Sequence, residues 1–149
     1  MKYMNEKEKD NIYYFCSLIE FIGRVTKNHR ADVIKYFSEE DIKRELEMAD
    51  LNHTLSFEQV SDEIVEDYKI SEGKFDTVKE CKYSIPSVLS IGRVYQQLVL
   101  SVNQGNTAET LRKVFSSFIS DEISDFNSNV YYSNPDYILK SYEADELLA

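Results

Sequence analysis

Apolar residues recur with helical spacing in almost every segment of this chain, and that period is the strongest local sign of helix. Between Ile12 and Val25, ten of fourteen residues are apolar. Ile12, Phe15, Cys16, Ile19 and Ile22 make one stripe, and Tyr14, Leu18, Phe21 and Val25 make a second. A helix that is apolar on two sides has to be covered on two sides. The pattern therefore predicts a first helix over about Glu6 to Lys27 at the centre of the fold. The alternative is that its second stripe forms a homodimer interface.

The following segments read as shorter amphipathic helices. One runs from about Arg30 to Phe37. Ser38 is placed as the N-cap of the next, with Glu39, Glu40 and Asp41 in its first turn facing the helix dipole. Asp50 to Leu55 reads as a loop. Ser56-Phe57-Glu58-Gln59 has the form of a capping box opening a helix to about Tyr68, with Phe57, Val60, Ile64 and Tyr68 on one face. The tract from Ser71 to Ser84 is the least regular, and Lys82 to Ile85 reads as a short extended piece. Pro86 marks the entry to a helix whose core face is Val88, Ile91, Tyr95, Leu98 and Val102, ended by Gly105. Thr107 is placed as the cap of one continuous helix from Leu111 to Phe126. Asn134-Pro135 is a cap followed by Pro at the first helical position, opening a last helix to about Leu147. The expectation is an all-α fold of six to seven helices in a single compact domain, in two layers about the first helix. Residues 1–70 and 85–149 are expected to form two helical subdomains sharing one core, joined by an irregular connector over 71–84.

Composition agrees with this reading. Four Gly and two Pro in 149 residues are few for an all-β chain. The formal net charge is −10, and both halves, divided at Tyr83, are acidic. No basic stripe is present to neutralise phosphates, which argues against direct binding to nucleic acid or to an anionic membrane. The same field favours a basic protein partner, and it also keeps a chain soluble. The two cysteines, Cys16 and Cys81, are far apart and show no zinc-ligand spacing. The N-terminal tract is charged in both signs, unlike a signal peptide, and the apolar run after it is too short to span a bilayer. A cytoplasmic protein is expected.

Candidate chemistry is sparse. His29 and His53 are the only histidines, and neither has His or Cys at i+3 or i+4. No metal, cofactor or catalytic set is therefore expected, and the chain reads as non-enzymatic. Arg24 and His29 have the R-x4-H spacing seen in some helical ribonucleases, where the pair acts at the scissile phosphate. The alternative is that Arg24 pairs with a carboxylate and His29 starts the next helix. His53 sits in a short polar tract, where turn and capping hydrogen bonds compete with a ligand contact. Tyr131, Tyr132, Tyr137 and Tyr142, with Asn134 shaping the turn, form either a satellite core or a patch for a protein partner.

Three stretches carry a resemblance. Val33-Ile34-Lys35-Tyr36-Phe37, Leu51-Asn52-His53-Thr54-Leu55-Ser56-Phe57-Glu58-Gln59-Val60 and Phe126-Asn127-Ser128-Asn129-Val130-Tyr131-Tyr132-Ser133-Asn134-Pro135-Asp136-Tyr137 resemble a small, acidic, all-helical domain of unknown function from Firmicutes. Ile85-Pro86 and Ile91-Gly92-Arg93-Val94-Tyr95 extend the likeness. Proteins of that kind occur near small toxin-like or ADP-ribosyltransferase genes. The resemblance thus implies an antitoxin-like, accessory or inhibitor role on a protein partner. It brings no catalytic residues.

Overall fold

The computed structural model describes residues 4–149, so residues 1–3 of the charged N-terminal tract lie outside the described residues. Those described fold into eight α-helices with no strand: α1 (Glu6–Thr26), α2 (Arg30–Ile34), α3 (Glu39–Asn52), α4 (Phe57–Tyr68), α5 (Val88–Val102), α6 (Thr107–Ser116), α7 (Phe118–Ile123) and α8 (Pro135–Ala144). A 3-10 turn over Val130–Tyr132 precedes α8.

Helix α1 is central. Its first stripe is buried throughout, and Leu18 of the second stripe is buried as well. Tyr14 and Phe21 are half-buried, both stacked on Phe57 of α4. Val25 alone of that stripe stays largely exposed. The two-sided pattern is met by α5 on one side and by α2, α3 and α4 on the others. Close approach of α1 and α5 depends on Gly92: a Cβ there would collide with the Ser17 side chain and come within 3.0 Å of its Cα. One cluster of buried apolar side chains runs from Ile12 to Ile138 and draws on both sides of the connector.

Polar residues set the helix ends. Asn5, Ser38 and Ser56 each accept from the backbone N–H three residues on, and each completes a capping box. Asn134 caps α8 with Pro135 at its first position. Several boundaries differ from the sequence expectation. Asp50 to Asn52 lie inside α3, and the two residues that follow cap it: His53 Nδ1 meets the Ala49 carbonyl at 3.2 Å and Thr54 donates to the Leu51 carbonyl at 2.8 Å. Asn106, not Thr107, caps α6, its Oδ1 accepting from Glu109 N–H. Asn103 ends α5, and Gly105 (φ 113°) supplies the left-handed turn two residues later.

The expected helix from Leu111 to Phe126 is broken at Ser117, which is extended. Ser117 Oγ donates to the Val114 carbonyl at 2.7 Å, and Ser120 Oγ donates to the Ser117 carbonyl at 3.0 Å. Serine hydroxyls thus offer the backbone partners outside the helical ladder. The last helix ends at Ala144, with Asp145 in the left-handed region.

The connector is irregular but tied down. Gly73 N–H donates to the Thr26 carbonyl and Phe75 N–H to the Lys27 carbonyl, both at 2.8 Å. Asn28 donates to the Ser71 carbonyl at 2.8 Å. A side chain at Gly73 would collide with Asn28, so only glycine fits where the connector crosses the end of α1. Lys82 to Ile85 pairs with no strand.

Candidate interaction face

A carboxylate in the middle of an apolar helix needs a buried cation. Glu20 of α1 is fully buried, and so is Arg30 at the start of α2. The two form a bidentate pair, Arg30 Nε to Glu20 Oε1 at 2.9 Å and Arg30 Nη2 to Glu20 Oε2 at 2.8 Å. Arg24, one turn after Glu20, adds a bond from Nε to Glu20 Oε2 at 2.8 Å. Ser124, beyond the end of α7, donates to Glu20 Oε1 at 2.8 Å. Because that hydroxyl proton is engaged, the Tyr95 phenol supplies the proton shared between Ser124 Oγ, at 2.6 Å, and the Ser120 carbonyl, at 2.9 Å. Arg30 also donates to Thr77 of the connector at 3.1 Å and to the Asn28 carbonyl at 3.0 Å.

The network therefore joins α1, α2, α5, the connector and the segment after α7. Burial pushes the Glu20 carboxyl up, but Arg30 and then Arg24 outweigh it and hold the group below the ordinary 4.5. Burial, followed by the Glu20 charge, raises the Tyr95 phenol well above its usual value. Gly23 makes room for the arrangement, since a Cβ there would collide with the Arg30 side chain.

The network reaches the surface through aromatic rings. The Arg24 guanidinium lies 4.6 Å above the Phe126 ring, and Phe126 meets Tyr131 edge-on at 6.3 Å. Tyr131 packs on Tyr132 with centroids 4.4 Å apart. Tyr132 is 79% exposed. The connector is pinned to the same turn by Asn127, whose Nδ2 donates to the Glu80 carbonyl and whose Oδ1 accepts from Lys82 N–H, both at 2.8 Å. That clamp holds Tyr83, 71% exposed, on the connector. Burial, and then Tyr132, raise the Tyr131 phenol. Two segments distant in sequence thus present the two most exposed large hydrophobic side chains among the described residues.

The other candidates fall in three places. Asn134 is exposed, and its side chain caps α8 by accepting from Asp136 N–H at 2.8 Å. Tyr137 is half-buried and donates to the Leu148 carbonyl at 2.9 Å. Tyr142 is half-buried, its phenol raised by burial and lowered by Lys113. Among the described residues neither Tyr137 nor Tyr142 makes a ring contact with Tyr131 or Tyr132. Sequence reasoning did not single out the exposure of Tyr83 or the clamp made by Asn127. The exposed tyrosine in a tract with few apolar neighbours was the available signal.

His29 and Arg24 are separately engaged. His29 precedes α2, stacks on Phe75 at 3.9 Å and meets Asp121 Oδ1 through Nδ1 at 2.7 Å. Among the described residues no hydroxyl or thiol is hydrogen-bonded to its ring. The Arg24 side chain, 11% exposed, is held by Glu20 and Phe126, which leaves little of it to meet a phosphate. His53 lines a cleft of about 390 Å³ with Tyr13, Tyr14, Phe57, Leu89 and Arg93. No group of three or more His, Cys, Asp or Glu side chains converges on a metal position among the described residues. No described helix is long and apolar enough to cross a membrane.

No family model matches the chain, and neither a curated protein nor a solved structure does.

Proposed function

We propose that this protein is a non-enzymatic, cytoplasmic protein-binding module, antitoxin-like or accessory in role, that holds a basic protein partner through its tyrosine face. The observation that carries the reading is the presentation of Tyr132 and Tyr83 on a frame fixed by Asn127, Phe126 and the buried Glu20–Arg24–Arg30 network. Tyrosine gives large contact area with only two side-chain torsions to immobilise, and a preformed frame lowers the ordering cost of association. The net charge of −10 favours a basic partner. Free Cys16 and Cys81 suit a reducing compartment.

The test is cross-linking and capture from the native host with the wild-type chain and with Tyr83→Ala/Tyr132→Ala. A partner held by the wild type and lost by the double variant, at unchanged thermal stability, is the expected result. Equal capture by both refutes the reading.

A further inference from the structure

Helices α3 and α4 run antiparallel about a short turn: Arg44, near the start of α3, donates to the Tyr68 hydroxyl at the end of α4 at 3.1 Å, and this pair of helices is called the α3–α4 hairpin. Three large apolar side chains on the hairpin point away from the core. Leu51 is 63% exposed, with Met48 and Leu55 less so. Met48 and Leu51 are three residues apart on α3, and Leu55 lies in the turn to α4. Scattered apolar side chains are ordinary on a surface, but these occupy one end of one hairpin beside an unusual helix.

Glu58, Asp62, Glu63, Glu66 and Asp67 of α4 are all exposed, and among the described residues none makes an ion pair. Glu58, Asp62 and Glu66 follow at i, i+4 and i+8, and Glu63 and Asp67 at i and i+4. Like charges at that spacing repel. Half of the acidic residues of the neighbouring α3 behave differently: Glu40, Asp41 and Asp50 pair with Lys43, Arg44 and Lys7. At the seam, Glu45 Oε2 is buried with no hydrogen-bond partner. Burial first, then Asp41 and Glu63 against the opposing Arg44, push this carboxyl up. An exposed apolar ridge therefore adjoins a helix whose carboxylates pair with no cation among the described residues.

We propose that the outer face of the α3–α4 hairpin docks a basic amphipathic segment of a partner protein, large apolar side chains against Met48, Leu51 and Leu55 and lysines or arginines against the α4 carboxylates. Charge complementarity selects this occupant over a second copy of the chain, whose own hairpin repeats the same negative charge. The surface shares no residue with the tyrosine face and stands independently of it.

The probe is a fluorescent peptide of about 20 residues (long enough to hold helix) with leucines and lysines at helical spacing, and the same composition scrambled. Anisotropy at near-physiological salt compares the wild-type chain with Leu51→Ser/Leu55→Ser and with Glu63→Gln/Glu66→Gln/Asp67→Asn. A control, Glu80→Gln/Glu122→Gln/Glu146→Gln, removes as many charges elsewhere. The proposal expects each face variant to weaken the amphipathic peptide about tenfold or more, with the control within about twofold and the scrambled peptide weak throughout. Equal losses in the control and the acidic variant mean attraction by net charge alone and overturn it. So does unchanged binding by the leucine variant. Light scattering that shows a wild-type dimer, and a monomer for the leucine variant, also overturns it, because a second copy would then cover the face.

Discussion

Glu20 is where one residue has the widest reach, because its two carboxylate oxygens are bonded from Arg24, Arg30 and Ser124. Removing one member of a buried ion pair leaves the other unpaired in a dry environment. Glu20→Ala is therefore expected to cost about 3–5 kcal/mol by denaturant unfolding. Gly23→Ala acts on the same pair from the other side, displacing Arg30, and is expected to cost about 1–3 kcal/mol. The pH dependence follows from the depressed Glu20 carboxyl. A carboxyl held below its unfolded value binds fewer protons in the native state at intermediate pH. Its stabilisation is present above the ordinary 4.5 and is lost as pH falls from there through the lower folded value. Unfolding free energy measured from neutral to acid pH should fall in that window, and Glu20→Gln should flatten that part of the profile. Tyr132, by contrast, is exposed, and Tyr132→Ala should change stability by less than about 1 kcal/mol.

At the scale of elements, the connector is the informative piece. It has no secondary structure, yet it is bonded to the end of α1 and clamped by Asn127 to the turn before α8. Asn127→Ala removes both clamp bonds and should cost about 1–2 kcal/mol. Hydrogen exchange at the Lys82 amide should quicken while the amides of α1 keep their protection. An unchanged Lys82 rate would separate the connector from the turn. The helices themselves were legible because period and caps agree: Ser38, Ser56 and Asn134 are caps in sequence and in structure. The break at Ser117 was not, because apolar period continues through Phe118 and Ile119 while the hydroxyls of Ser117 and Ser120 redirect the backbone. The exposed tyrosines were unequally legible. Tyr131 and Tyr132 announce themselves, but the connector that carries Tyr83 is tied to their turn by the bond from the Lys82 amide to Asn127, 45 residues on, and no local pattern reports such a contact. The buried network was hidden likewise: Glu20 and Arg24 have helical spacing, but the Ser124 bond spans 104 positions.

At the scale of the molecule, the eight helices of the described residues and a pinned connector carry the exposed Tyr83 and Tyr132 on a strongly acidic chain. A field of that sign speeds encounter with a basic partner, and salt screens it. The association rate with that partner should fall as ionic strength rises, while the dissociation rate changes less. The most direct test is the affinity of the cross-linked partner for the wild-type chain and for Tyr83→Ala/Tyr132→Ala, measured beside their melting temperatures. The account predicts that the double substitution abolishes binding and leaves the melting temperature in place. Undiminished affinity, or lost affinity accompanied by a collapse in melting temperature, would contradict it.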